Sequence, residues 1–281
     1  MKYDPKTRFR TKVESTYGEE FVEFARNYKG CVQGELKRFP KVMRENMGFN
    51  RGLTKYGGDE KGLERRNPLI VVLGDSVTAG HFEFIAESRA DFPRYIEAGL
   101  PVEVVDERVS YPEIFRDRLS DLYDSTSVSV INAGIAGGNI LGMEERLTRD
   151  VISHDPDLVI LNGSLNWGVG EEQLAIYTAA LERVIKRMKA ETDADIVLLT
   201  PNMMDPAIAT EESVKALEQR VAVIREMAPR LGVCLADAYK VWIDFVGDRF
   251  APGELLANGQ NHPTMAGHRV YAEVLLHLLT D

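Results

Sequence analysis

Five short apolar runs, separated by stretches with helical spacing, constrain the fold of this chain more than any other feature of its sequence. The runs are rich in β-branched residues and are too short for core helices, which is typical of buried strands. They occupy residues 69–73, 128–131, 158–161, 196–199 and 233–235. Strands that alternate with helices form parallel sheets with right-handed crossovers. The pattern therefore predicts an α/β fold, a three-layer α/β/α sandwich around a five-stranded parallel sheet.

The connections between and after these runs carry apolar residues at every third or fourth position, which predicts amphipathic helices. The first predicted helix opens with a capping box at Ser110 and Glu113. The last is expected to begin at Pro263, because proline suits the first helical position. The apolar faces consist of Ile114, Phe115, Leu119 and Leu122; Leu174, Tyr177, Leu181, Val184 and Met188; Val214, Leu217, Val221, Ile224 and Met227; and Val270, Val274, Leu275, Leu278 and Leu279.

Residues 1–66 do not share the alternating pattern. Aromatic residues at helical spacing between Tyr17 and Tyr28 predict one amphipathic helix, whereas residues 47–66 are rich in glycine and charge and predict a loop or arm. We therefore divide the chain into an N-terminal helical and loop extension over residues 1–66 and a main domain over residues 67–281. We expect the loop or arm over residues 47–66 to pack against the main domain. The alternative is that it covers the mouth of a functional site or a neighbouring subunit of a homo-oligomer.

Charge and composition exclude several kinds of partner. The net charge of −10 repels polyanions, so neither nucleic acid nor an anionic membrane is an expected partner. No apolar stretch approaches the roughly 20 residues that span a bilayer, and no apolar segment follows the charged N-terminus as in a secretory signal. Cys31 and Cys234 lie far apart and match neither metal nor disulfide spacing. We expect a cytoplasmic protein without a metal site.

The first predicted strand ends in Gly74-Asp75-Ser76, where a serine meets the carboxyl end of a sheet strand. Ligands of open α/β sheets bind at those ends, so Ser76 is a candidate nucleophile. The alternative is an ordinary helix N-cap. Some thirty residues then separate Gly80 from Ser110, and a connection of that length beside a strand end commonly shapes a pocket.

Three further stretches lie just past a predicted strand or just before a helix. They are Asn132–Gly138, Asn162–Trp167 and Asn258–Pro263. Taken singly, Gly137 can be a turn, Asn166 a cap and His262 a surface imidazole. A parallel sheet brings such points to one edge, however, so we interpret them together with Ser76 as a single site.

These stretches resemble the sequence blocks of the SGNH hydrolases, also called GDSL esterases and lipases. The matching segments are Gly74–Ser76, Asn132–Gly137, Val159–Asn166, and His262-Pro263 with Ala266-Gly267-His268. The resemblance runs from about Pro68 to the end of the sequence and implies the flavodoxin-like SGNH hydrolase fold. It implies that Ser76 is the nucleophile and His262 the catalytic histidine. It further implies an oxyanion hole formed by the backbone N–H groups of Ser76 and Gly137 and by the side-chain amide of Asn166.

Two of the blocks depart from that family's pattern. The third block keeps its asparagine but not the neighbouring glycine and aspartate. The family's catalytic aspartate stands three residues before the histidine, where this chain has Gly259. The triad is thereby reduced to Ser76 and His262, with the imidazole held by an amide oxygen or a backbone carbonyl. The nearest polar candidates for orienting it are Asn258, which we favour, and Asn261. We expect Asp237, after the fifth strand, to cap or tether the chain instead.

The resemblance implies hydrolysis of esters of small molecules through an acyl-enzyme, without a metal or organic cofactor. We expect short-chain acyl esters, most simply acetyl esters, of a carbohydrate or small metabolite. One alternative is a thioesterase, and another is a non-catalytic ligand-binding module that retains the fold. A flavodoxin-like nucleotide binder is less compatible, because Asp75 places a carboxylate where backbone amides would meet a phosphate.

Overall fold

The computed structural model describes residues 17–47, 66–86, 89–247 and 251–280. In these residues a six-stranded sheet has the order β1-β8-β7-β6-β2-β5, and β3 and β4 form a separate two-stranded sheet. The strands are β1 (Val32–Gln33), β2 (Leu69–Gly74), β3 (His81–Phe84), β4 (Glu103–Val105), β5 (Ser129–Gly134), β6 (Leu158–Asn162), β7 (Asp195–Leu199) and β8 (Cys234–Ala236). The five predicted strands are confirmed as a parallel sheet, and β1 adds an antiparallel edge to β8.

Helices cover both faces of the large sheet. They are α1 (Gly18–Asn27), α2 (Phe39–Asn46), α3 (Ser76–Ala79), α4 (Phe92–Glu97), α5 (Tyr111–Leu122), α6 (Ile140–Glu145), α7 (Leu147–Asp150), α8 (Glu171–Glu191), α9 (Glu211–Leu231), α10 (Ala238–Val246) and α11 (Met265–Thr280). None of the helices in the described ranges is both long and apolar enough to cross a membrane.

The central strand β2 shows how the two apolar layers arise. Ile70 and Val72 point into one core, whereas Val71 and Leu73 point into the other. A strand buried on both faces needs apolar residues at successive positions, which accounts for the continuous run that predicted it. The first core contains residues of α5, α10 and α11, and the second contains residues of α6, α8 and α9.

Two helix starts differ from the prediction. The helix α5 begins after Ser110 as expected, but the capping box does not form, because the Ser110 hydroxyl donates to the Glu107 carbonyl at 2.6 Å. Glu113 instead pairs with Arg116. Pro263 bridges to Leu256 in extended backbone, so α11 begins two residues later than predicted, at Met265.

The helix α1 of the N-terminal extension packs against the main domain. In α1, the Phe21 ring stacks on Phe245 at 4.4 Å and meets the edge of Trp242 at 4.9 Å. The His277 Nε2 atom of α11 donates to the Ala25 carbonyl at 2.9 Å. The predicted loop over 47–66 falls almost wholly outside the described residues.

The helix α3 lies directly against β5 at Gly134. A Cβ atom at that position would come within 2.3 Å of the Ala79 nitrogen and 2.7 Å of the Thr78 carbonyl carbon. Both are backbone atoms and do not swing aside as a flexible side chain would. The position therefore requires glycine for α3 to sit where it does.

We predict that Gly134→Ala lowers the free energy of unfolding by about 1–3 kcal/mol, the usual cost of overpacking a core. Urea denaturation measures the change. The control is Gly142→Ala in α6, where a Cβ atom would be 3.8 Å from its nearest neighbour, the Asn139 Oδ1 atom. That control should leave stability unchanged or raise it by up to about 1 kcal/mol. Equal effects of the two substitutions would contradict the close approach.

Candidate active site

The chain turns sharply where β2 ends, and this turn positions Ser76. Asp75, not Ser76, caps α3, because its Oδ1 atom accepts from the Val77 backbone N–H at 3.0 Å. Ser76 is therefore the first residue of α3, and the N-cap alternative for it is wrong. Burial raises the pKa of the Asp75 carboxyl to about 7, although the hydrogen bond from Val77 and the nearby His81 oppose the rise.

Ser76 and His262 meet in a hydrogen bond. The Ser76 Oγ atom lies 2.9 Å from the His262 Nε2 atom, and both residues are buried. The other ring nitrogen, Nδ1, faces two acceptors, the Phe82 carbonyl oxygen at 3.2 Å and the Glu103 Oε1 atom at 3.5 Å. Two acceptors at Nδ1 favour the tautomer with its proton there. Nε2 of His262 then carries no proton of its own and can accept that of the Ser76 hydroxyl.

Asn258 does not have the role predicted for it. Its Oδ1 atom accepts from the backbone N–H groups of Gln260, Asn261 and His262, at 3.0, 2.9 and 2.9 Å. An amide oxygen that accepts from three such donors closes a turn of the backbone. The partners of the imidazole Nδ1 atom are instead the Phe82 carbonyl and the Glu103 carboxylate. Asn258 therefore shapes the backbone that carries His262.

Phe82 and Glu103 come from the long connection after α3, which forms the β3–β4 hairpin. Sequence reasoning expected this connection to shape a pocket but did not identify Glu103. The second oxygen of Glu103, Oε2, lies 2.5 Å from the Nδ1 atom of His81. In the sequence, Glu103 is the one polar residue in a short apolar run. The length of the connection predicted a pocket nearby but gave no reason to single out this residue.

The other predicted site residues line the same cavity as Ser76 and His262. This cavity has a volume of about 220 Å³, and its walls include Gly137 and Asn166. Gly137 has a φ of 69°, in the left-handed region that favours glycine. The Asn166 Nδ2 atom lies 3.2 Å from the Gly138 carbonyl oxygen, so the amide is already beside the glycine turn. The structure thus brings together all four residues expected to act at the site.

Two arginines, of which Arg220 is buried and Arg146 is partly buried, hold the loops of the cavity. Arg220 of α9 donates to the carbonyls of Ser164 and Gly168, at 2.8 and 3.2 Å, on either side of Asn166. Burial lowers the pKa of this guanidinium. Arg146 donates to the carbonyls of Gly74 and Ala133, at 2.8 and 2.6 Å, and joins the ends of β2 and β5. No sequence signal marked either arginine.

Asp237 lies away from the catalytic pair and tethers the chain, as expected. It caps α10 by accepting from the Lys240 N–H at 3.2 Å, and it accepts from the Thr200 hydroxyl at 3.0 Å. Its other partner is the Arg225 guanidinium, at 2.7 Å. Across the described ranges, no three His, Cys, Asp or Glu side chains are arranged to hold a metal ion.

A family model described as the GDSL-like Lipase/Acylhydrolase family matches residues 72–270. The matched region contains Ser76, Gly137, Asn166 and His262. No curated protein matches the sequence.

Solved structures similar to this chain have the same fold. LAE5, an alpha/beta hydrolase from the metagenome of Lake Arreo in Spain, is 20% identical with a TM-score of 0.58, covering 76% of this chain and 95% of its own. Axe2, an acetylxylan esterase from Geobacillus stearothermophilus, is 21% identical with a TM-score of 0.58. The match covers 76% of this chain and 94% of Axe2. A lipase/acylhydrolase from Enterococcus faecalis is 21% identical with a TM-score of 0.58, covering 75% and 94%.

A second histidine, His268, is fully buried behind the site. Its Nδ1 atom accepts from the Tyr111 backbone N–H at 3.2 Å, which requires an unprotonated nitrogen. Burial, together with the nearby His262, lowers its pKa from 6.5 to about 3. At a pH between about 3 and 6.5, His268 is therefore protonated in the unfolded chain and neutral in the folded chain. Stability is therefore lost as the pH falls below about 6.5.

We predict that His268→Asn makes the stability less sensitive to acid, because an amide oxygen accepts from Tyr111 without titrating. Urea denaturation between pH 7.5 and pH 4.5 should give a slope smaller by up to about 1.4 kcal/mol per pH unit than in the wild type. The exposed His154, replaced by Asn, is the control and should retain the wild-type slope. Parallel stability curves for wild type and His268→Asn would show that His268 is not held neutral.

Proposed function

This chain belongs to the GDSL-like lipase/acylhydrolase family of ester-bond hydrolases, and we propose that it is a serine esterase for short-chain acyl esters, most simply acetyl esters, of a carbohydrate or small metabolite. The observation that carries the proposal is the hydrogen bond between the Ser76 Oγ and His262 Nε2 atoms, 2.9 Å long, at the wall of the cavity. A ligand-binding module has no need of a serine hydroxyl aimed at an imidazole.

The proposed reaction is acyl transfer to water. His262 Nε2 accepts the Ser76 proton as Oγ attacks the ester carbonyl, and it returns that proton to the leaving alcohol. Water, activated by the same nitrogen, then releases the acid and restores the serine. The backbone N–H groups of Ser76 and Gly137 and the amide of Asn166 meet the charge on the tetrahedral oxygen. One such donor typically contributes about 2.7–4 kcal/mol to lowering the barrier.

The size and lining of the cavity support a short acyl group on a polar alcohol. Its volume of about 220 Å³ is below that of most drug-sized pockets, which are roughly 300–1,000 Å³. Phe84, Phe92 and Val102 form an apolar wall, which suits an acyl methyl group. The amides of Asn166 and Asn261 also line the cavity and can hydrogen-bond to a hydroxylated alcohol. Axe2, whose fold is similar, is an acetylxylan esterase, which agrees with an acetyl ester.

We predict that kcat/KM is highest for p-nitrophenyl acetate and falls through the butyrate to the octanoate, because the cavity is short. An acetylated xylo-oligosaccharide and acetyl-coenzyme A, assayed in parallel, compare a carbohydrate ester with a thioester. Ser76→Ala should reduce hydrolysis to the background rate, whereas Ser153→Ala, which alters an exposed serine, should leave it unchanged.

Three outcomes would contradict the proposal. Hydrolysis by Ser76→Ala at the wild-type rate would exclude Ser76 as the nucleophile. A maximum at the octanoate would exclude the short-chain specificity. Wild-type protein that binds acetylated sugars without hydrolysing any ester would favour the ligand-binding module.

A further inference from the structure

The position that carries a carboxylate in related hydrolases is occupied here by Gly259, yet the imidazole of His262 does face a carboxylate. We propose that Glu103, supplied by the β3–β4 hairpin, serves His262 as the acid of a Ser76–His262–Glu103 triad, and that His81 holds Glu103 in position. The proposal rests on the proposed function and deepens it. Glu103 acts through the histidine and is therefore a positioning residue.

The first support is the geometry at Nδ1. Glu103 Oε1 lies 3.5 Å from that atom, within ion-pair distance, while the Phe82 carbonyl oxygen at 3.2 Å also accepts from it. The side chains of His262 and Glu103 are 8% and 15% exposed, so water screens their interaction little. The carbonyl keeps the proton on Nδ1, and the carboxylate supplies a negative charge that the carbonyl lacks.

The second support is the way Glu103 is held. Its Oε2 atom lies 2.5 Å from His81 Nδ1, so one carboxylate lies between two imidazoles. The rings of His81 and His262 pack edge to face with centroids 5.8 Å apart. Because His81 already binds Oε2 of Glu103, this side chain loses little further entropy when its Oε1 atom faces His262.

The hairpin is tied closely to the nucleophile turn. The Asp106 backbone N–H donates to the Gly80 carbonyl at 2.9 Å, which fixes the end of β4 against the residue that ends α3. Gly80 is four positions after Ser76, and Asp106 is three positions after Glu103. This backbone hydrogen bond therefore links the segment that carries the nucleophile to the strand that carries the carboxylate, and His262 contacts both side chains.

The proposed step transfers one proton, from Ser76 to Nε2 of His262, and leaves the proton on Nδ1 in place. As the Ser76 proton moves to Nε2, the ring becomes an imidazolium, and the Glu103 carboxylate stabilises that charge without taking the Nδ1 proton. The titratable groups that face the His262 ring are Glu103 on β4, His81 at the start of β3 and His268 on α11. Asp75, the N-cap of α3, lies close enough to His81 for that imidazole to favour its ionised form.

The test compares Glu103→Gln with wild type in kcat and KM for p-nitrophenyl acetate from pH 4.5 to pH 9. We expect kcat to fall roughly 10- to 100-fold with little change in KM, because the charge of Glu103 stabilises the imidazolium that forms in the transition state. The pKa of the acidic limb should fall by about 1 unit, because an opposite charge no longer favours the imidazolium. The control, Glu97→Gln, makes the same change at an exposed position of the same connection.

Substitutions of His81 distinguish the positioning of the Glu103 side chain from the charge that Glu103 supplies. His81→Asn keeps an N–H donor near the position of Nδ1 and should retain most of kcat, whereas His81→Leu removes the donor and should lose kcat as Glu103→Gln does. Urea midpoints of all variants verify that the comparison is between folded proteins. A structural role for Glu103 would lower the midpoint and leave the acidic limb in place.

The pKa of His262 is measured by NMR titration of the same proteins. Its signal is identified as the one missing from the His262→Gln variant. This measurement does not depend on catalytic activity. An unchanged His262 pKa in Glu103→Gln, or an unchanged acidic limb and rate, overturns the proposal. A wild-type protein that hydrolyses no ester, or whose activity survives Ser76→Ala, overturns the proposed function instead. In that case the NMR titration still decides whether Glu103 acts on His262.

Discussion

The register of three parallel strands is the constraint on which the candidate site depends. Gly74 of β2 pairs level with Gly134 of β5 on one side and with Asn162 of β6 on the other. The chain therefore leaves all three strands at the same height, and the loops that follow bring Ser76, Gly137 and Asn166 to one cavity. A slip of one residue would move a strand end by about 3.3 Å, which is more than a hydrogen bond tolerates.

Two arginines donate to backbone carbonyls at those strand ends and in the loops beyond them. Arg146 spans the ends of β2 and β5, and its charge is balanced by Asp150 at 2.6 Å. Arg220 reaches the Asn166 loop from the interior of α9 and is 2% exposed. Burying a guanidinium is costly unless its donors are satisfied, and here backbone carbonyls accept from it. A positive charge behind the Asn166 loop also favours negative charge in the cavity.

Much of the fold and part of the site could be predicted because the information is local. The five parallel strands and the long helices follow from apolar spacing. Ser76, Gly137, Asn166 and His262 follow from short blocks at strand ends and before the last helix. The two-residue strand β1 has no periodicity to detect, and it exists because the edge of β8 offers unpaired backbone groups.

The remaining features depend on contacts between distant segments. Glu103 meets His262 across 159 positions of sequence, and no pattern within either segment encodes that meeting. Asn258 lies next to His262 in the chain and was for that reason the natural candidate to orient the imidazole. Its short side chain instead closes the turn of its own backbone, a common use of asparagine.

The proposed function requires that Ser76 attacks an ester carbonyl whose oxygen enters an oxyanion hole. The donors of that hole are Ser76, Gly137 and Asn166, in the segments that follow β2, β5 and β6. A crystal structure of the protein inactivated by a small fluorophosphonate tests it most directly. We predict a covalent bond from Ser76 Oγ to phosphorus and a phosphoryl oxygen about 2.7–3.1 Å from the backbone nitrogens of Ser76 and Gly137 and from Asn166 Nδ2. An adduct on another residue, or a phosphoryl oxygen turned away from Gly137 and Asn166, would contradict the account.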